Sequence, residues 1–147
     1  MKKNKVEMRR EVGQQLSFAL YSAANRIARL HKPFLEPLGI TFPQYLVLLE
    51  LYSRAPQAVG ELGLKLSMDT GTITPLIKRM QAAGLVSRVR DTADERRVLV
   101  GLSANAQSLR EDVWSITDKI KTACQLTDKG IDELRQTLEA LGHPTTS

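Results

Sequence analysis

Asp69-Thr70-Gly71-Thr72-Ile73-Thr74 places three hydroxyls close together, and Lys78 and Arg79 follow one to two helical turns later. Between Lys78 and Arg97 stand six basic residues (Lys78, Arg79, Arg88, Arg90, Arg96, Arg97) against three acidic ones (Asp91, Asp94, Glu95). Hydroxyls, ammonium and guanidinium groups in one stretch suit phosphates and base edges. On charge alone a solvated face is the simpler reading, so the elements that carry these residues must decide.

Elsewhere reactive side chains are sparse. Cys124 is the single cysteine and has no intrachain partner, which points to a reducing cytosol. It reads first as a small buried hydrophobe and second as a redox group. His31 either ends the first helix or senses a ligand. Only His31 and His143 are available as imidazoles, so a metal site would have to be rich in carboxylates, and none is expected. No HExxH, P-loop, GxSxG or Cys-His pair supports catalysis. Binding rather than enzymatic turnover is expected, with no cofactor.

With 147 residues, 42% hydrophobic and 25% charged, the chain has the composition of one ordinary globular domain. Its 21 basic and 16 acidic side chains leave a net charge of +5. The longest charge-free runs, 12–25 and 37–49, are too short to cross a membrane. Glu7, Arg9, Arg10 and Glu11 interrupt any apolar leader at the N-terminus, so a cytoplasmic protein is expected.

The periodicity then supplies the elements. From Met8 to His31, Leu16, Leu20, Ala23, Ala24, Ile27 and Leu30 recur at helical steps, predicting one long amphipathic helix. Pro33, Pro37 and Gly39 predict a connection beyond which that helix does not continue. Pro43 opens a helix after Thr41, and the run from Tyr45 to Tyr52, apolar on every side, predicts a buried helix ended by Ala55, Pro56 and Gln57. Leu62, Leu64 and Leu66 mark a short helix over 60–66. The next helix starts at Asp69 or Thr70 as cap and closes at Gly84. Two short helices joined by a tight turn form a helix-turn-helix.

After Gly84 the period becomes two. Residues 85–90 and 97–102 predict a β-hairpin with a charged tip over Asp91–Glu95. Ser103 caps a helix through Leu109, Val113, Trp114, Ile116 and Ile120, and a last amphipathic helix carries Ile131, Leu134, Leu138 and Leu141. His143 and the residues after it read as a frayed tail. Trp114 and Tyr45 are expected in the core or a dimer interface. A helix-turn-helix followed at once by a basic hairpin is a winged helix: mainly α, with a small β wing. On DNA the helix beginning at Asp69 would enter the major groove, with Thr70, Thr72 and Thr74 toward bases or phosphates and Lys78, Arg79 and Arg88 toward the backbone. Asp94 would hold Arg96 in a fork for the adjacent minor groove.

The sequence resembles the MarR family of bacterial winged-helix transcription regulators. The resemblance runs from about Gln15 to Leu141 and is carried by 38–45 (Leu-Gly-Ile-Thr-Phe-Pro-Gln-Tyr), by 66–80 from Leu66 to Met80, by 83–88 (Ala-Gly-Leu-Val-Ser-Arg) and by Asp94-Glu95-Arg96-Arg97. Through residues 15–21 (Gln-Leu-Ser-Phe-Ala-Leu-Tyr) it looks most like the OhrR branch, which senses organic hydroperoxides. It implies one MarR-type domain over 1–147, with a DNA-binding lobe over 43–102 and dimerisation helices over 8–36 and 103–142. The implied partners are a second copy of the chain, a pseudo-palindromic double-stranded operator and a small organic effector, with no membrane.

The departures from that branch fall in the sensor. Ser17 stands where the branch has its reactive cysteine, and His31 and Phe42 stand where it has tyrosines, while Tyr21 is kept. A serine hydroxyl forms no thiolate at neutral pH and no sulfenic acid, so peroxide sensing at Ser17 is excluded. The four residues Ser17, Tyr21, His31 and Phe42 are expected to line an effector pocket instead. Cys124 falls near the resolving cysteine of two-cysteine members. Two alternatives stay open: a peroxide sensor whose cysteine was exchanged for Ser17, and a winged-helix module for protein contacts.

Overall fold

A computed structural model describes residues 2, 4–8 and 10–142. The predicted tail from His143 onward lies outside the described residues. Among the described residues eight α-helices and three short strands follow in the order α1 (Lys5–Met8), α2 (Leu16–Leu35), α3 (Phe42–Ser53), β1 (Gln57–Ala58), α4 (Val59–Lys65), α5 (Thr70–Ala82), β2 (Val86–Arg90), β3 (Val98–Leu102), α6 (Ala104–Ser108), α7 (Arg110–Cys124) and α8 (Asp128–Ala140). The mainly helical winged-helix architecture is present.

The first long helix is displaced from its expected span. It starts at Leu16 rather than Met8, because Val12–Gln14 forms a 3-10 turn and Gln15 is extended. It also runs past the expected stop to Leu35, with Pro33 inside its last turn. A proline there deletes only one backbone hydrogen bond, and the cap at Glu36 still donates its N–H to the Lys32 carbonyl.

Helix α3 is fixed at its start by a capping box: the Thr41 hydroxyl accepts from the Gln44 amide, and the Gln44 side chain accepts from the Thr41 amide. Tyr45, Val47, Leu48, Leu51 and Tyr52 are buried, as an all-round apolar helix requires. Around it pack Leu62 of α4, Ile73, Ile77 and Met80 of α5, Val100 of β3, and Val113 and Ile116 of α7. Removing a large core side chain such as Ile77 would cost about 2–5 kcal/mol.

Two backbone details shape the helix-turn-helix. A side chain at Gly63 would put its Cβ 2.9 Å from the Met68 carbonyl oxygen and 3.3 Å from Ile73 Cγ2, so only glycine lets α4 and the turn approach this closely. Ser67 takes the left-handed conformation (φ 56°) that turns the chain into Met68. Gly84 (φ 76°) ends the segment after α5, as expected.

The hairpin acquires a third strand that periodicity did not reveal. The sheet order is β1-β3-β2, all antiparallel, with Gln57 opposite Val100 and Arg88 also opposite Val100 on the other side. Residues 57–58 therefore do more than end α3. The buried Gln57 amide donates to the carbonyl of Arg54, 2.6 Å, and to the Glu50 carboxylate, 3.1 Å. The helix expected after Ser103 is broken at Leu109 into α6 and α7, and Ser103 caps the first piece by accepting from the Ala106 amide. Among the described residues no helix is long and apolar enough to cross a membrane.

Candidate nucleic-acid interface and sensor cavity

Asp69 is the residue before α5, and its carboxylate accepts from the Thr72 amide at 2.9 Å. This capping role orients the helix start rather than offering a free group to DNA. Thr70 and Thr72 are exposed on the first turn, Thr74 is half-buried one turn on, and Lys78 and Arg79 are exposed beyond it. Arg88 on β2 is half-buried and donates to Gln81 at the end of α5, 3.3 Å, which ties the wing strand to the recognition helix. Thr74, Arg88 and Arg96 line one open hollow of about 500 Å³ between α5 and the wing. Of the expected nucleic-acid residues the structure thus brings Thr74, Arg88 and Arg96 together, while Thr70, Thr72, Lys78 and Arg79 are exposed elsewhere along α5 and Asp69 has a capping part.

The wing tip is held from within. One Asp94 oxygen accepts from the Arg96 amide (3.1 Å) and from its guanidinium Nε (3.2 Å). That leaves the outer guanidinium nitrogens of Arg96 facing solvent on a side chain that is 92% exposed. Across the hairpin, Arg90 donates to the Glu95 carbonyl at 2.7 Å.

The four residues expected in the effector pocket do not assemble within one chain. Ser17 and Tyr21 are exposed on α2, and Ser17 stands about 21 Å along the helix axis from His31. His31 and Phe42 do meet: their rings pack edge to face with centroids 4.7 Å apart, and Tyr45 lies 5.4 Å from His31. His31 is buried four residues before the end of α2, so it does not end the helix. Its Nδ1 donates to the Ile27 carbonyl at 2.8 Å, leaving Nε2 as its other polar atom.

His31 lines a cavity of about 440 Å³ together with Ile27, Tyr45, Thr117, Cys124 and Ile131, among others. Phe42 instead faces a neighbouring cavity of about 410 Å³ with Ala28, Leu35 and Ile40. Tyr45 and Thr117 share a long hydroxyl contact of 3.5 Å. At the rim Lys121 pairs with Asp128 at 2.5 Å, and the hydrogen bond to that carboxylate raises the Lys121 pKa. Cys124, half-buried at the end of α7, belongs to this wall. Sequence reasoning missed Tyr45 as a cavity residue because it read as core or interface, and it did not single out Thr117, whose type carries no signal of its own on a helix.

Trp114, expected in a core or interface, is 44% exposed. It packs edge to face on Tyr52, and the Arg110 guanidinium lies over both rings, at 5.2 and 5.5 Å. Burial pushes the Tyr52 phenol upward in pKa, partly countered by Arg110. Among the described residues no cluster of three or more His, Cys, Asp or Glu side chains could hold a metal.

A second apolar surface has no counterpart inside the chain. Helix α8 has no fully buried residue; Leu134 and Leu138 are exposed along it and Leu141 just after its end. Leu16, Phe18 and Tyr21 are exposed at the start of α2. Apolar stripes of this extent on both terminal regions are what a subunit interface covers.

Comparison with known proteins places these features. Residues 29–113 match the family model described as transcriptional regulator SarA/Rot. An organic hydroperoxide resistance transcriptional regulator of Bacillus subtilis is 36% identical over 127 residues, 86% of either chain. The solved structure of overoxidized AbfR bound to DNA, a protein of Staphylococcus epidermidis, superposes with a TM-score of 0.74 at 34% identity, covering 95% of this chain and all of that one. A MarR variant of Escherichia coli in complex with operator DNA gives a TM-score of 0.74 at 26% identity, covering 87% and 94%. The mainly helical winged-helix fold agrees with these matches, and the chain belongs to the SarA/Rot type of the MarR family of winged-helix transcriptional regulators.

Proposed function

We propose that the chain acts in the bacterial cytoplasm as a homodimeric repressor, without enzymatic activity, that binds a pseudo-palindromic operator and is released by a small organic ligand. The observation that carries this reading is Arg96, displayed at the wing tip, held in orientation by Asp94, and lining one hollow with Thr74 of α5 and Arg88 of β2. A DNA-bound relative at 34% identity supports it. In this reading α5 lies in the major groove, Lys78 and Arg79 meet phosphates, and Arg96 enters the minor groove. The dimer spaces the two recognition helices about one helical turn apart.

Lys78→Ala should weaken binding to all duplexes alike and reduce the slope of log K against log salt by roughly one phosphate contact, about 0.9. Equal slopes for parent and variant, measured by fluorescence anisotropy over a salt series, would remove Lys78 from the interface.

The release site is the cavity beside His31. Its volume lies in the range of small-molecule sites, and its wall combines apolar side chains with the His31, Tyr45 and Thr117 polar atoms. A ligand lowers operator affinity tenfold if it prefers the non-binding dimer by about 1.4 kcal/mol. The second reading rests on Cys124 facing the same cavity: its oxidation would fill or strain that wall. Two relatives favour attention to it, one named for organic hydroperoxide resistance and one solved in an overoxidized state. Organic hydroperoxide is expected to leave the operator complex intact in both the parent and Cys124→Ser, while a screen of aromatic carboxylates yields a releasing ligand. Release of the parent alone would make Cys124 the sensor.

A further inference from the structure

Arg96 and Arg97 are adjacent, yet their guanidinium groups face different surroundings. Asp94 to Arg97 form a tight turn, and the side chains of its last two residues leave it in different directions. Arg96 points outward, whereas Arg97 turns back to α4, where its Nη2 donates to Glu61 Oε1 at 2.5 Å and its Nη1 lies 3.8 Å from Asp91 Oδ2. The second Glu61 oxygen accepts from Arg54 at 2.7 Å. The backbone of Arg97 closes the tip as well: its amide donates to the Asp94 carbonyl and its carbonyl accepts from the Asp91 amide, both at 2.9 Å. Glu61 thus grips the residue on which the whole tip turns, and it does so from the first turn of the helix that leads into the helix-turn-helix.

We propose that Glu61 is a positioning residue for the wing: by holding Arg97 it sets the distance between α5 and Arg96, and Arg97 itself makes no DNA contact. The proposal rests on the DNA-binding reading above and adds to it a residue that no phosphate would attract. Charge alone argues the opposite sign, since a carboxylate on a DNA-facing surface repels phosphates and its removal should strengthen binding to every duplex. A clamp instead predicts that neutralising Glu61 harms recognition at the wing while leaving general affinity equal or higher.

The test compares the full chain with Glu61→Gln, Arg97→Gln and the double variant on operator duplexes whose wing-contacted flanks are A·T-rich or G·C-rich. The expected result is a threefold to fivefold fall, approximately, in the preference for A·T flanks in each single variant. The double variant should fall no further, because the two changes remove one contact. Binding to random duplex should not weaken in Glu61→Gln, and thermal midpoints should be close to the parent's; a merely structural role would move the midpoint and not the flank preference. An unchanged preference, tighter operator binding by Glu61→Gln, or additive losses would overturn the proposal. Amide exchange in the free protein decides it independently of DNA: the Asp91 and Arg97 amides should exchange faster in Glu61→Gln, and unchanged rates would refute the clamp. If the parent binds no duplex at all, the DNA-binding reading fails while the exchange result still stands for or against the clamp.

Discussion

Leu134→Glu combined with Leu138→Glu should yield a folded monomer whose operator affinity is at least about a hundredfold below the parent's. Both leucines are exposed on α8, which has no fully buried residue within its own chain, so neither change disturbs the core built on α3, α5 and α7. Exposed substitutions of this kind alter a subunit's own stability by roughly 0.5 kcal/mol or less. In a subunit interface, by contrast, two carboxylates would be desolvated without partners. Losing the dimer makes the second half-site a separate binding event, and the effective concentration that links the two contributes about 10²–10⁴ in avidity. Sedimentation velocity with circular dichroism checks the first half and a gel shift the second. A variant that stays dimeric, or a monomer with undiminished affinity, would show that α8 is not the interface.

The next largest effect is expected at Arg96. Arg96→Ala should cost about 1–3 kcal/mol of operator binding, a loss of roughly fivefold to 150-fold. The loss should be greater where the flanking minor groove is A·T-rich, because that groove is narrow and its potential draws in a guanidinium. The structure supplies the geometric reason: Asp94 occupies the Arg96 Nε and leaves the terminal nitrogens for the groove. Arg96→Lys should recover part of the affinity and little of the flank preference, since an ammonium is a point charge with no planar fork. Equal losses on A·T-rich and G·C-rich flanks in competition titrations would mean that Arg96 meets phosphate only.

What the sequence made legible is mostly local chemistry. Asp69 and Ser103 cap the helices that follow them because a short side-chain oxygen next to a helical run has one favourable partner, the amide three residues on. Gly84 and the alternation on either side of the tip marked the wing for the same kind of reason. The strand at Gln57–Ala58 was not legible, since two residues carry no period and their partner is Leu99–Val100. The start of α2 was misplaced because the apolar spacing continues through Val12–Gln14 while the backbone does not.

The sensor residues divide along the same line. Ser17 and Tyr21 were grouped with His31 and Phe42 by resemblance, and within the chain only the last two come together. The residues that share the cavity with His31 come from α2, α3, α7 and α8, and Tyr45 and Thr117 touch across 72 positions of sequence. Glu61 and Arg97 are separated by 36, and nothing in the composition of either neighbourhood announces their pairing. Long-range pairing of this kind is set by packing, which one sequence does not display.

The claim that this fold reads a symmetric operator as a dimer is tested most directly by selecting binding sites from a random duplex pool with the full chain. The account predicts an enriched inverted repeat whose half-sites lie about one helical turn apart, 10–10.5 base pairs centre to centre, bound at two subunits per site. Enrichment of a single unrepeated element bound by one subunit, or no enrichment over random duplex, would contradict it.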